Sequence, residues 1–123
     1  MIPFTRSDRV SGLIQKVLSE ILKRDIGDPR LKMATITDVE VTRDLKLARI
    51  YFTTPGDKRK KDAAINGFRS ARGFIKRILA DQIDLKYMPD LKFIYDNSLE
   101  YGAHIDELIE SIKTKNGPDH PTY

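Results

Sequence analysis

A chain of 123 residues, 40% apolar and 33% charged, is sized for one hydrophobic core and too short for two. It has no cysteine, which excludes a disulfide framework, a thiol nucleophile and a thiolate metal site. No strictly apolar run exceeds three residues, so neither a membrane span nor a signal-peptide core is expected, and the net charge of +4 fits a cytosolic protein with a heavily charged surface.

The first element is a helix, with Ser7 expected as its cap. Val10, Leu13, Ile14, Val17, Leu18, Ile21 and Leu22 follow the i, i+3, i+4, i+7 spacing, and the pattern stops at Gly27, just before Pro29. From Met33 to Thr54 the period changes to two. Val39 and Val41, then Ala48, Ile50 and Phe52, alternate with polar or outward residues. This predicts a hairpin turning near Arg43-Asp44-Leu45. Ile36 is out of phase with Val39 and Val41, which places a bulge near Thr37-Asp38.

Pro55-Gly56-Asp57 ends the strand and sets Asp57 to cap a second helical stretch running to about Ile83. Its buried side would hold Ala64, Phe68, Ala71, Ile75 and Ile78. Gly73 falls in the middle of that pattern, so two helices meeting at a kink are expected at Ala71-Arg72-Gly73. Leu91, Phe93 and Tyr95 alternate after Pro89 as a third strand. Ile105, Leu108, Ile109 and Ile112 mark an added C-terminal helix. The expected division is a domain over 1–113 and a flexible tail over 114–123. The order α-β-β-α-α-β defines an α+β layer and resembles the type II KH fold.

Charge is unevenly placed. Residues 43–77 hold eleven Lys/Arg against Asp44, Asp57 and Asp62, a net +8, whereas 95–123 hold six acids against Lys113 and Lys115, a net −4. A basic segment attracts a phosphate backbone, although many such segments are only solvated surface. Lys58-Arg59-Lys60-Lys61 follows Asp57 at an expected helix N-terminus, where cations oppose the helix dipole at a cost of about a few tenths of a kcal/mol each. Arg69, Arg72 and Lys76 fall within an arc of about 60° at helical spacing, beside Arg77. The run and the arc together would form a strip suited to tracking phosphates. Reading bases would need aromatic or amide groups as well, and periodicity places none beside it. Arg9, Lys16 and Lys23 make a second basic stripe that also fits ordinary helix surface. Tyr51 and Leu47, on the outward phase of the second strand, suit packing better than stacking.

Chemistry is poorly provided for. His104 and His120 are linked to no nucleophile, and Asp106, Glu107 and Glu110 near His104 fit a solvated helix face. No HExxH, phosphate-loop or dinucleotide fingerprint is present. No metal, cofactor or small-molecule substrate is implied, and enzymatic activity is not expected.

Three stretches resemble one family: Ser7-Asp8-Arg9-Val10; Asp28-Pro29-Arg30-Leu31 leading into Thr37 to Leu45; and Phe93 to Glu100 before Gly102 and Ile105 to Ile109. With Ala71-Arg72-Gly73, which stands where a KH module carries GxxG, they are similar to ribosome-binding factor A over residues 7–109. The resemblance implies a cytoplasmic, non-catalytic assembly factor that binds the immature small (30S) ribosomal subunit. It also implies assistance to late maturation of 16S rRNA, including at low temperature. On that reading Ala71 to Gly73 and the basic positions beside them contact rRNA, and the role of Lys58 to Lys61 rests on charge alone. A KH-like adaptor recruiting a protein through its acidic last helix is the alternative, and an RNase comes third. No surplus apolar stripe is evident, so a monomer is expected.

Overall fold

In the computed structural model, which describes residues 4–98, helix α1 spans Arg6–Arg24 and buries Val10, Ile14, Leu18 and Ile21 along one stripe. Its cap is Thr5, not Ser7. Asp8 N–H donates to Thr5 Oγ1 at 3.2 Å and Thr5 N–H donates to the Asp8 carboxylate at 3.0 Å, a reciprocal box that Ser7 cannot form. Ser7 is instead buried in the first turn, its hydroxyl 2.9 Å from that of Thr5. The helix ends at Arg24 with Asp25 as its C-cap, before Gly27 is reached. Asp28 then caps a one-turn 3-10 helix, Pro29–Leu31, which proline's fixed φ favours at its first position.

Strands β1 (Thr35–Val41) and β2 (Leu47–Thr53) form the expected hairpin, and β3 (Asp90–Tyr95) runs parallel to β2 on its other side, giving the order β1-β2-β3. The register shifts between Ile36 and Asp38, at the predicted bulge, which lets Ile36 and Val39 both reach the core. The hairpin is closed by Leu45 N–H donating to the Thr42 carbonyl at 2.8 Å, with Leu45 at φ +61°. Asp44 accepts from the Thr42 hydroxyl at 2.7 Å and from Lys46 N–H at 3.1 Å; the hydroxyl is the larger reason its carboxyl titrates below the ordinary range.

Helix α2 spans Lys58–Gln82 without a break, so the expected pair of helices at Ala71-Arg72-Gly73 is one. A mid-helix glycine costs about 1 kcal/mol relative to alanine, less than burying a single large apolar side chain returns, and Phe68 and Ile75 on either side are both fully buried. Ala64, Phe68 and Ile75 occupy the core as expected, Ala71 and Ile78 are half-buried, and Leu79 takes the deep position the sequence pattern did not assign. Both helices cover one face of the sheet, where Ala48, Ile50, Phe52 and Leu91 complete the core. The described topology is α-β-β-α-β, an α+β layer. The expected C-terminal helix, the tail from 114 and the boundary at 113 lie outside the described residues.

The two glycines of α2 differ. A Cβ on Gly67 would stand 3.0 Å from Leu31 Cδ2 and 3.3 Å from Arg30 Cβ, so the 3-10 turn packs directly on that backbone, whereas a Cβ on Gly73 meets nothing within 4 Å among the described residues. Gly67→Val should therefore destabilise the fold by about 1–3 kcal/mol through overpacking. Gly73→Ala should stabilise it by about 0.5–1 kcal/mol through helix propensity. Urea denaturation of both variants checks the contrast, and equal losses would contradict it.

Candidate nucleic-acid interface

The basic residues ride on the outer side of α2, a position set by what its inner side buries. Asp57 caps the helix, its carboxylate accepting from Lys60 N–H at 3.2 Å, as the sequence predicts. Lys58, Arg59 and Lys60 are exposed in the first turn. Lys61 is not part of that open set: it is half-buried, with Nζ 4.8 Å from the centroid of the Tyr95 ring.

Further along, Arg69, Arg72 and Arg77 are exposed, and Gly73 lies one helical turn from both Arg69 and Arg77. With no side chain at Gly73 and nothing else among the described residues close above it, the basic face has a bare stretch of backbone at its centre. Lys76 differs from its neighbours, because its ammonium donates to Asp90 Oδ1 at 2.8 Å across to the start of β3. That pairing holds the Asp90 carboxyl below the ordinary carboxylate range, with Arg72 adding a smaller electrostatic contribution. Asp62, exposed on the same outer side, stands between the Lys58–Lys60 set and Arg69. Helical spacing sets Lys58 on the same side as Arg69, so Asp62 interrupts the expected strip, while Lys60 turns to the flank shared with Gly67. Arg9, Lys16 and Lys23 are exposed on α1.

Tyr51 and Leu47 are half-buried on the sheet face away from the helices, and a hydrogen bond to Glu40 raises the Tyr51 phenol's pKa. Neither is an open stacking platform. Sequence reasoning missed a better one in the loop between α2 and β3. Pro89 is fully buried there and Leu85 and Met88 are half-buried, which pins the loop, while Tyr87 is 77% exposed with Lys86 Nζ 5.5 Å from its ring centroid. It shares a surface depression with Lys46 and with Asp90, the partner of Lys76. The available signal was a tyrosine beside a lysine, outside any periodic apolar pattern.

Among the described residues no group of three or more His, Cys, Asp or Glu is placed to hold a metal ion, and no helix is long and apolar enough to cross a membrane. His104 and His120 lie outside them.

A helix that buries one side in an α+β core and carries cations on the other presents a basic face on a compact α+β layer. Comparison with known proteins narrows the class. A family profile described as Ribosome-binding factor A matches residues 6–109. Proteins called Ribosome-binding factor A are 50% identical over 94% of this chain and 89% of the relative in Desulfosudis oleivorans, and 45% identical over 94% of both chains in Desulfatibacillum aliphaticivorans. A solution structure of a putative ribosome binding factor A from Thermotoga maritima aligns over 81% of this chain and 95% of its own at 25% identity and a TM-score of 0.68. The crystal structure of the Thermus thermophilus factor aligns over 75% and 97% at 18% identity and a TM-score of 0.67, which shows the shared fold. The chain belongs to the ribosome-binding factor A family, a family of ribosome-binding factors and not of enzymes.

The Lys76–Asp90 pair has a readable signature. A depressed carboxyl pKa contributes stability above the ordinary titration range near 3.8 and loses it as pH falls through the native value, so the pair is intact at neutral pH. Lys76→Met should move the Asp90 midpoint back up toward that ordinary value, incompletely because Arg72 remains. An NMR titration that finds the Asp90 midpoint unmoved would show the pair absent in solution.

Proposed function

We propose that this chain is a cytoplasmic, monomeric assembly factor that binds the immature small (30S) ribosomal subunit and assists late maturation of its 16S rRNA, including at low temperature. The rRNA contact is the outer side of α2. The observation that carries this reading is the exposed set Arg69, Arg72 and Arg77 around the bare backbone of Gly73, where a phosphate can approach the helix without meeting a side chain. Support comes from the family and from a Thermus thermophilus ribosome binding factor A model fitted into the map of a 30S complex, which shares the fold at a TM-score of 0.60 and 20% identity over 71% of this chain and 91% of its own. No small-molecule substrate or cofactor has a part in this function.

Lys76 contributes least on this reading, since freeing its ammonium for a phosphate means parting it from Asp90. The Arg69→Ala, Arg72→Ala double variant should flatten the slope of log affinity against log salt for a purified small-subunit precursor by about one and a half to two units. Adding Lys76→Ala should flatten it by less than another half unit. Co-sedimentation at several salt concentrations measures both, and a slope unchanged in the double variant would instead favour an adaptor that docks through protein contacts.

Gly73→Val should melt within about 0.5 kcal/mol of the parent, because valine and glycine have similar helix propensities and the site is open. It should nevertheless weaken precursor binding by covering the backbone. Unaltered binding would show that nothing approaches Gly73.

A further inference from the structure

Lys60, on the flank of α2 that it shares with Ala63 and Gly67, is not accounted for by the Arg69–Arg77 face. Beside it lies a cleft of ≈ 470 Å³ between the 3-10 turn, the end of β2 and the first turns of α2, lined by Pro29, Arg30, Met33, Pro55 and Lys60 among others. We infer that this cleft receives one unpaired base of an RNA strand, with Lys60 on the adjoining phosphate. This deepens the rRNA-binding reading and rests on it.

The walls are apolar and held ready. Two proline rings and the Met33 side chain, 64% exposed, offer flat or pliable apolar surface that nothing else in the described chain covers. Arg30 adds a guanidinium plane held along one edge by Asp28. Its Nε donates to Asp28 Oδ1 at 3.0 Å and to Oδ2 at 3.1 Å, and its Nη2 donates to Oδ2 at 2.6 Å, while its Cβ rests against Gly67. Bases of single-stranded RNA stack on arginine planes as they do on aromatic rings, and a plane already immobilised loses little freedom when a base arrives. An acidic protein segment would match the charges, but it has no use for a fixed guanidinium whose own charge Asp28 already balances.

The Lys60 stem lies close over Gly56. Gly56, at φ +116°, lies directly under it, and a Cβ there would stand 2.6 Å from Lys60 Cδ and 2.9 Å from Cγ. The bare glycine lets the lysine stem lie against the cleft floor. Lys60 and Ala63 share one flank of α2 with Gly67 at helical spacing, so the cleft and the close contact of the 3-10 turn are parts of one construction. Of the acids nearby, Asp28 opposes a phosphate least, because it is paired with Arg30.

Binding of purified small-subunit precursor is measured for Met33→Ser, for Lys60→Gln and for the Arg69→Ala, Arg72→Ala double variant. Met33 is exposed, so its replacement should leave the melting midpoint unchanged. The expected results are a loss of about fivefold or more with an unaltered salt slope for Met33→Ser, and a slope reduced by about one unit for Lys60→Gln. A photo-crosslinking residue at position 33 should label rRNA. If Met33→Ser and Lys60→Gln bind like the parent while the arginine double variant is weakened, the cleft holds no base and the rRNA-binding reading stands. A crosslink to a ribosomal protein also overturns the proposal, by making the cleft a protein contact. If all three variants bind like the parent, the rRNA-binding reading fails and the cleft proposal with it.

Discussion

Phe68 of α2 holds the helix to the sheet, and the rest of the structure is arranged around that contact. Its ring meets Phe52 of β2 at a centroid separation of 4.6 Å and stacks on Phe93 of β3 at 4.7 Å, while Phe52 meets Tyr95 edge-on at 5.7 Å. These four rings join the antiparallel hairpin, the parallel third strand and the long helix at one point. Removing a fully buried ring costs about 3–5 kcal/mol, a large share of the stability of a domain this small, so the rotation of α2 about its axis is tightly set. Every outward residue of the helix inherits its direction from that choice.

Two consequences bear on function. With Phe68 and Ile75 facing inward, Arg69, Arg72 and Arg77 face outward, and Gly73 falls among them. The same rotation brings Gly67 under the 3-10 turn, close enough for Leu31 to be buried and for Arg30 to be held beside the first turn of the helix. The glycine that looked structural from its place in the pattern, Gly73, is open, and the one given no role, Gly67, is the packing contact. Its burial depends on a turn 36 residues earlier, which helical periodicity cannot register.

Much of the fold is legible in the residues because the period of apolar positions reports directly on burial. The hairpin, its turn, the bulge near Thr37-Asp38 and the Asp57 cap follow from local rules, and each is where those rules place it. The errors share a cause. Ser7 and Thr5 both carry hydroxyls, and only the reciprocal partner Asp8 chooses between them. Gly73 reads as a break because its local cost is visible, while the non-local burial of Phe68 and Ile75 that outweighs it is not. Lys76 is grouped with Arg69 and Arg72 by helical spacing, yet its ammonium is engaged by Asp90, 14 residues on, across a loop whose path no periodicity predicts. Lys61 is likewise drawn out of its run by Tyr95. Charged clusters are visible in sequence, but which of their members remain available is a tertiary question.

The central claim is that α2 meets rRNA through its outer side. Cryo-electron microscopy of the chain bound to a small-subunit precursor tests it most directly. The account predicts rRNA phosphates within hydrogen-bond reach of Arg69 and Arg72, with the strand passing over the backbone at Gly73. A complex in which α2 faces solvent and the sheet face opposite the helices, carrying Leu47 and Tyr51, lies against the ribosome would contradict it.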